Sequence, residues 1–293
     1  MKQGGDYSVA ALMRSSAALE SSSPRLDVEL LLCRASGRSR TWLRTWPDHR
    51  LTPEQHAEFR RLLERRAQGE PMAYLLGERE FWSLRLRVAP GALIPRPDTE
   101  TLVAAALALP LGPGCRVLDL GAGTGAIALA LASERPAWRV HAVDIDEHCA
   151  ALTRENAAAH GLDNVDCWRS DWYAAVAGRY HLIVSNPPYI AADDPHLDVG
   201  DLRFEPRRAL VAADAGLADL RHIAAQASDH LEAGGWLLLE HGYQQADACA
   251  AALRQAGFDQ VSCIRDVGGC ERVTLGCWPG SMSADAGVAL VAE

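Results

Sequence analysis

The stretch Arg116-Val117-Leu118-Asp119-Leu120-Gly121-Ala122-Gly123-Thr124-Gly125 reads as a short apolar strand running straight into a glycine-rich turn, and the alanine-rich Ala126 to Ser133 after it reads as a helix. Glycines at a strand end let the chain turn tightly and bring backbone N–H groups against a ligand at a helix N-terminus. The same alternation continues outward. Arg139 to Val143, Asn164 to Trp168, His181 to Ser185 and Trp236 to Glu240 read as strands, with helices over Glu147 to His160 and Ala215 to Leu231. This is the pattern of a parallel sheet covered on both faces. Val261 to Asp266 and Arg272 to Cys277, joined through Gly268-Gly269, read as a closing antiparallel hairpin.

Upstream the pattern differs. From residue 8 to about residue 76 the chain reads as short helices: Ser23-Pro24 supplies an N-cap and an N1 proline, and Gly37 closes that helix. Thr52-Pro53-Glu54-Gln55 has the spacing of a capping box, and Gly69 ends the helix it opens. Phe81 to Val88 alternates large apolar and polar residues, as a strand pair does, and Ala89-Pro90-Gly91 with Pro95-Arg96-Pro97 then breaks regularity. The expected division is a helical domain over 1–76, a linking β-hairpin over 77–90, an α/β domain over 91–278 and a small, polar, frayed tail over 279–293. Every chemical motif described below lies after residue 90, so substrate recognition is assigned to the helical domain.

Of the 293 residues, 48% are hydrophobic and 23% charged, an ordinary globular balance. Net charge is -9, unevenly placed: residues 1–90 hold 15 Lys and Arg against 11 Asp and Glu, which leaves -13 on the remainder. An acidic catalytic part argues against a nucleic-acid groove, while the basic first segment suits either an acidic partner or a charged helix face. The start of the chain lacks a secretory pattern, and Leu102 to Leu111 is too short to span a bilayer and contains Pro110, so a cytoplasmic protein without membrane contact is expected. None of the eight cysteines forms a C-x-x-C pair, and no metal site is expected.

With Ala126 the glycine loop satisfies the G-x-G-x-x-G/A fingerprint, which serves NAD and S-adenosylmethionine equally. Asp144, at the end of the next strand, can accept from a ribose diol; Asp146 is better placed as a helix cap. Asp171-Trp172 follows the third strand, where an indole can cover an adenine and Asp171 can meet its amino group. The fourth strand ends in Ser185-Asn186-Pro187-Pro188-Tyr189. Two prolines hold that loop extended. A planar NH2 group is a poor nucleophile because its lone pair is delocalised. If the Asn186 side-chain oxygen and the Pro187 carbonyl accept its two hydrogens, the nitrogen is held and polarised toward a sulfonium methyl, and Tyr189 covers the flat group. A hydride-transfer enzyme has no use for such a platform. Adenine amines and glutamine amides both present a planar NH2, and the motif alone does not separate them.

Gly77-Glu78-Arg79-Glu80-Phe81-Trp82, Leu93-Ile94-Pro95-Arg96-Pro97-Asp98-Thr99-Glu100, the loop Gly121 to Gly125, Arg203-Phe204-Glu205-Pro206 and Glu240-His241-Gly242 together resemble the release factor glutamine methyltransferases of the PrmC/HemK family. The resemblance runs from the helical segment to about Cys277. It implies a Rossmann-like, seven-stranded S-adenosylmethionine methyltransferase sheet with a helical N-terminal domain. Cofactor contacts are implied at Gly121, Ala122, Gly123, Thr124, Gly125, Asp144, Trp172 and Asn186. Asn186, Pro187, Pro188 and Tyr189 are implied to hold the substrate, with Asn186, Pro187 and Tyr189 serving the reaction. The implied substrate is the Gly-Gly-Gln glutamine of class I peptide-chain release factors, methylated at N5 for translation termination. Gly269-Cys270 stands where the family more often has a polar or acidic pair. An adenine-N6 methyltransferase and a noncatalytic nucleoside-binding protein are the alternatives; the -13 balance weighs against the first and the Asn186 platform against the second.

Overall fold

The computed structural model describes residues 7–280, so most of the expected tail lies outside the described residues. The chain forms two compact units. One is built from the chain up to Arg79 with Val88–Pro90 and Pro195–Glu205, the other from Glu80–Arg87, Gly91–Asp194 and the chain from Pro206 on.

The first unit is helical: α1 (Val9–Met13), α2 (Pro24–Ser36), α3 (Arg40–Thr45), α4 (Pro53–Ala67) and α5 (Met72–Leu76). Val28, Leu31 and Leu32 of α2 meet Phe59, Leu62 and Leu63 of α4 in one core. Gly37 ends α2 in the left-handed conformation that glycine adopts freely. The Thr52 hydroxyl accepts from Gln55 N at 3.2 Å while Gln55 Oε1 accepts from Thr52 N at 3.1 Å, completing the capping box. Ser23 differs from expectation. It is the N-cap residue of α2 but makes no side-chain cap, because Ser21 takes the local role, accepting from Ser23 N and donating to Asp27. The short α3 escaped the sequence reading because six residues are too few to show a helical period. Much of this segment's positive charge is spent internally: Arg40 and Arg44 hold the buried Glu29, and Arg66 holds Asp27. The Pro195–Glu205 segment joins this unit through Arg203, which donates to the Gln68 carbonyl at 3.2 Å.

The hairpin β1 (Glu78–Phe81) and β2 (Leu84–Arg87) turns at Trp82 and Ser83, whose φ values are 50° and 62°. The strand pair therefore begins before Phe81, the expected start, and residues 82 and 83 are the turn; positive φ at both central positions matches the twist of tight hairpins. Arg87 exchanges two hydrogen bonds with the Asn156 side chain, which also donates to the Thr124 carbonyl at 2.9 Å, tying β2 to the glycine loop.

Then follow α6 (Glu100–Ala108), β3 (Arg116–Leu120), α7 (Ala126–Glu134), β4 (Arg139–Asp144), α8 (Glu147–Ala159), β5 (Val165–Arg169), β6 (Tyr180–Ser185), the one-turn α9 (Ala213–Gly216), α10 (Ala218–His230), β7 (Leu231–Glu240), α11 (Ala246–Gln255), β8 (Asp259–Arg265) and β9 (Glu271–Cys277). The seven-stranded sheet has the order β5-β4-β3-β6-β7-β9-β8, parallel except at β9. This is a Rossmann-like α/β sheet. Helices α6, α7 and α8 cover one face and α10 and α11 the other. The chain leaves β3 toward β4 and β5, then returns on the opposite side of β3 as β6, so the carboxyl ends of β3 and β6 flank the crevice where such sheets hold ligands.

Helices α6 and α11 are absent from the sequence reading, and two further elements start elsewhere than it placed them. Helix α10 starts at Ala218 rather than Ala215, because Asp214 and Ala215 are left-handed with φ near 54° and 52°. Strand β7 first pairs at Leu231, then bulges before regular pairing resumes at Trp236. Among the described residues no helix is long and apolar enough to cross a membrane.

Removing the capping hydroxyl with Thr52→Ala will lower stability by about 1 kcal/mol, read from the midpoint of urea unfolding, because the Gln55 amide loses its partner.

Candidate active site

A cavity of about 330 Å³ opens at the carboxyl ends of β3 to β6, within the range of small-ligand sites. Gly121, Gly123, Asp144, Ser170, Asp171, Trp172, Asn186 and Pro188 line it. Gly91, Leu93, Ile145, Cys149, Arg208, Ala209 and Asp219, none given a role at the site from the sequence, complete the wall. Ala122, Thr124, Gly125 and Pro187 are buried and stand outside this lining, as does the half-buried Tyr189.

The glycine loop works differently from its sequence reading. Its N–H groups are not bare: Gly121 and Ala122 donate to the Val143 carbonyl at 2.9 and 3.0 Å, and Gly123 donates to Asp144 Oδ2 at 2.9 Å. The start of α7 is met by the buried Asp119, whose Oδ2 accepts from Ala128 N at 3.1 Å. Burial pushes Asp119 up to about 7, partly opposed by that hydrogen bond. The loop therefore presents a close-fitting surface instead of an anion-binding array. Gly121, at φ 76°, has the Trp172 ring within 3.5 Å of where a Cβ would stand. Gly125 is a packing glycine, since a Cβ there would meet Leu129 and Thr153 at 2.9 Å.

Asp144 is held from below. Its Oδ2 accepts from Gly123 and its Oδ1 from Asp146 N at 2.9 Å, and burial raises its pKa while Gly123 and Arg208 act the other way. Asp146 caps α8 by accepting from His148 N, and it also pairs with Arg208. Trp172 adopts φ 44°, and its carbonyl accepts from the Ser170 hydroxyl at 2.8 Å, a tie that fixes this turn on the cavity wall. Asp171 and Asp219 stand nearby, and burial first, then the Asp171 charge, raise Asp219. The wall thus carries three carboxylates, Asp144, Asp171 and Asp219, and one guanidinium that is already paired.

The Asn186–Tyr189 loop is fixed at both ends. Before it, the buried Ser185 hydroxyl donates to the Leu120 carbonyl at 2.7 Å, locking β6 to β3. Asn186 Nδ2 donates to Thr99 Oγ1 at 3.2 Å, which leaves its side-chain oxygen for the cavity it lines. The Tyr189 carbonyl accepts from Gln245 Nε2 at 3.0 Å, and its hydroxyl donates to Glu240 Oε1 at 3.4 Å. Burial moves the Tyr189 hydroxyl well above the usual phenol range. Thr99, Glu240, Gln245 and Arg208 are supporting residues the sequence reading did not identify; for Thr99 and Glu240 the one available signal was their place in stretches shared with a known family. Among the described residues no group of His, Cys, Asp and Glu could hold a metal ion.

The "PrmC N-terminal domain" model matches residues 10–77 and the "Methyltransferase small domain" model residues 99–211. A release factor glutamine methyltransferase of Pseudomonas aeruginosa is 53% identical over 271 residues, covering 92% of this chain and 98% of that protein. The chain belongs to the release factor glutamine methyltransferases. The Escherichia coli member of that family is 54% identical over 258 residues, covering 87% of this chain and 93% of its own. Among solved structures, a Pyrococcus furiosus methyltransferase superposes with a TM-score of 0.51 at 20% identity, over 67% of this chain and 89% of that one. A Thermus thermophilus 16S rRNA N2 methyltransferase in complex with AdoMet and guanosine gives 0.50 at 22%, over 69% and 49%. These two likenesses establish the fold.

Gly216 carries the loop's position from below. It has φ 85°, and a Cβ there would lie 2.1 Å from the Tyr189 carbonyl oxygen. Gly216→Ala will therefore destabilise the protein by roughly 1 to 3 kcal/mol through strain and displacement. Gly112→Ala, where a Cβ meets nothing within 4 Å, will change it by less than about 0.5 kcal/mol. Equal shifts of the two urea midpoints would show that Gly216 does not press on the loop.

Proposed function

We propose that this chain transfers the methyl group of S-adenosylmethionine to the side-chain amide nitrogen, N5, of the Gly-Gly-Gln glutamine of class I peptide-chain release factors, in the cytoplasm. One observation carries the reading: Asn186, whose amide nitrogen donates to Thr99, lines a cavity walled by carboxylates. A cationic cofactor suits such a wall. A dinucleotide does not, because its pyrophosphate needs free amides at a helix N-terminus, and here the Asp119 carboxylate takes that place. Nucleic acid is disfavoured as substrate for the same electrostatic reason, which extends to the -13 balance beyond residue 90.

S-adenosylmethionine supplies an electrophilic sulfonium methyl. Asp144 would accept from the ribose diol, Trp172 would cover the adenine, and the Gly121–Gly125 turn would shape the floor. Asn186 and the Pro187 carbonyl would accept the two amide hydrogens, drawing the nitrogen lone pair out of conjugation and toward the methyl. Pro187 and Pro188 keep those acceptors from relaxing. Tyr189 supports the loop from beneath as well as bordering the flat amide. No dedicated base is required, since the nitrogen becomes more acidic once it carries the methyl. Selection of one glutamine among all others needs contacts away from the reacting atom, and we assign these to the helical residues 1–76, joined through 77–90 to the catalytic 91–278.

Purified release factor incubated with the protein and S-adenosylmethionine will gain one methyl on the Gly-Gly-Gln glutamine by mass spectrometry. The whole factor will saturate at a far lower concentration than a short peptide with the same motif; equal KM values would remove the helical unit from recognition. Methyl transfer to nucleic acid and not to the factor would overturn the reading.

Asn186→Ala will lower kcat by roughly 100-fold while changing cofactor affinity little, because the lost acceptor acts on the reacting amide. Equal losses in both would make Asn186 a cofactor contact alone. Asp144→Ala will weaken S-adenosylmethionine binding by roughly 1.5 to 3 kcal/mol, measured by calorimetry, since a charged acceptor is removed. Unchanged affinity would place the ribose elsewhere.

A further inference from the structure

Glu240 ends β7 beside the Asn186–Tyr189 loop, and the reaction as derived above gives it no task. Its carboxyl is 1% exposed. Tyr189 donates to Oε1 at 3.4 Å, while Oε2 has no hydrogen-bond partner among the described residues. A buried carboxyl with an unpartnered oxygen is destabilising, so a fold that keeps one there at the edge of its reactive loop calls for a reason. Thr99 stands beside the same carboxyl, and its hydroxyl oxygen accepts from Asn186 Nδ2 at 3.2 Å. A hydroxyl has a single proton. If Thr99 sends it toward Glu240, its lone pairs turn to Asn186, and Asn186 must answer with its NH2 end. The two ends of a side-chain amide are nearly the same shape, so the partner at one end decides which group the other end offers.

We propose that Glu240 is a positioning residue for methyl transfer: by accepting from the Thr99 and Tyr189 hydroxyls it orients Thr99 toward Asn186, and so turns the Asn186 oxygen, rather than its NH2, to the amide being methylated. The inference rests on the function proposed above, because an acceptor at Asn186 matters only when the substrate presents an NH2. Reversal would set NH2 against NH2, which repels and leaves the nitrogen unpolarised.

The surrounding charges make this ordering sensitive to protonation. Thr99 and Asp98 face Glu240 from the approach to α6, Tyr189 from the loop after β6, and Arg272 from β9; His241 follows it in the chain and bonds Thr274 and the Gly242 carbonyl. Arg272 is itself held by Asp266 at 3.0 Å, and Arg96 faces Tyr189. Burial raises Glu240 to about 7, against the lowering influence of Thr99, Arg272 and Tyr189. Above that pH the carboxylate only accepts. Below it, the protonated acid can donate to Thr99, whose own proton then turns to Asn186 and draws the amide oxygen inward. Transfer is therefore lost as pH falls through about 7 and is fully present above it.

The test uses the full-length protein with whole release factor, from about pH 5.5 to about pH 8.5. Wild-type kcat will fall on the acid side with a midpoint near 7. Glu240→Gln, which replaces one accepting oxygen with a donating NH2 and cannot titrate, will lower kcat about tenfold or more and abolish that acid limb, with S-adenosylmethionine affinity and Tm nearly unchanged. Thr99→Val will do the same, Thr99→Ser will keep kcat within about threefold of wild type, and the Glu240→Gln, Thr99→Val pair will be no worse than its weaker member, because both act on one chain of hydrogen bonds. Additive losses, an acid limb that survives in Glu240→Gln, or a cofactor affinity that falls in step with kcat would overturn the proposal. A readout free of substrate separates it from the functional reading. The Asn186 side-chain NH2 resonances, followed in selectively labelled protein, will shift through the same midpoint in wild type and stay fixed in Glu240→Gln. If wild type methylates no release factor, the functional reading fails by itself. If those resonances do not titrate in wild type, the positioning role fails whatever the substrate.

Discussion

The parallel pairing of β3 with β6, with Leu120 opposite Ser185, is the constraint on which the rest of this structure depends. Two segments more than sixty residues apart end side by side because the chain crosses back over β3 after building β4 and β5. The buried Ser185 hydroxyl fastens that register to the Leu120 carbonyl at 2.7 Å. A slip of one residue would reverse every side chain of β6 and carry Asn186 away from the glycine loop. Both the glycine loop and the Asn186–Tyr189 loop owe their positions to this one junction.

Around the junction, the fold favours cations and polar neutral groups over phosphates. Asp119 occupies the helix terminus that a pyrophosphate would otherwise use, and Asp144 is braced by backbone amides before any ligand arrives. A carboxylate fixed in this way would lose little freedom on accepting from a ligand hydroxyl. The same logic extends to the reactive loop, where prolines restrict the backbone and Thr99, Gln245 and Glu240 restrict what the prolines cannot, the side-chain ends and carbonyl directions.

Residues of the helical unit show how misleading raw charge can be. The net +4 of residues 1–90 suggested a basic surface. Part of it is consumed within the unit by Glu29 and Asp27, each buried and gripped by arginine. Any attraction of an acidic partner must come from the arginines left over.

Local signals in the sequence determined a great deal. Gly37 and the Thr52–Gln55 capping box delimit helices through contacts spanning a few residues, and the strands from Arg116 to Ser185 announce themselves by apolar runs because both faces of a parallel sheet are buried. Asn186 and its prolines stood out for the same reason, since the motif is contiguous. Tertiary structure alone decided what lies beneath: that Asp119 fills the helix start, that Gly216 abuts the Tyr189 carbonyl, and that Thr99 and Glu240 stand under Asn186. All but the first of those contacts join residues tens of positions apart. Hydrogen-bond direction is fixed only when donor and acceptor meet in space, so no spacing rule along the chain could have disclosed them.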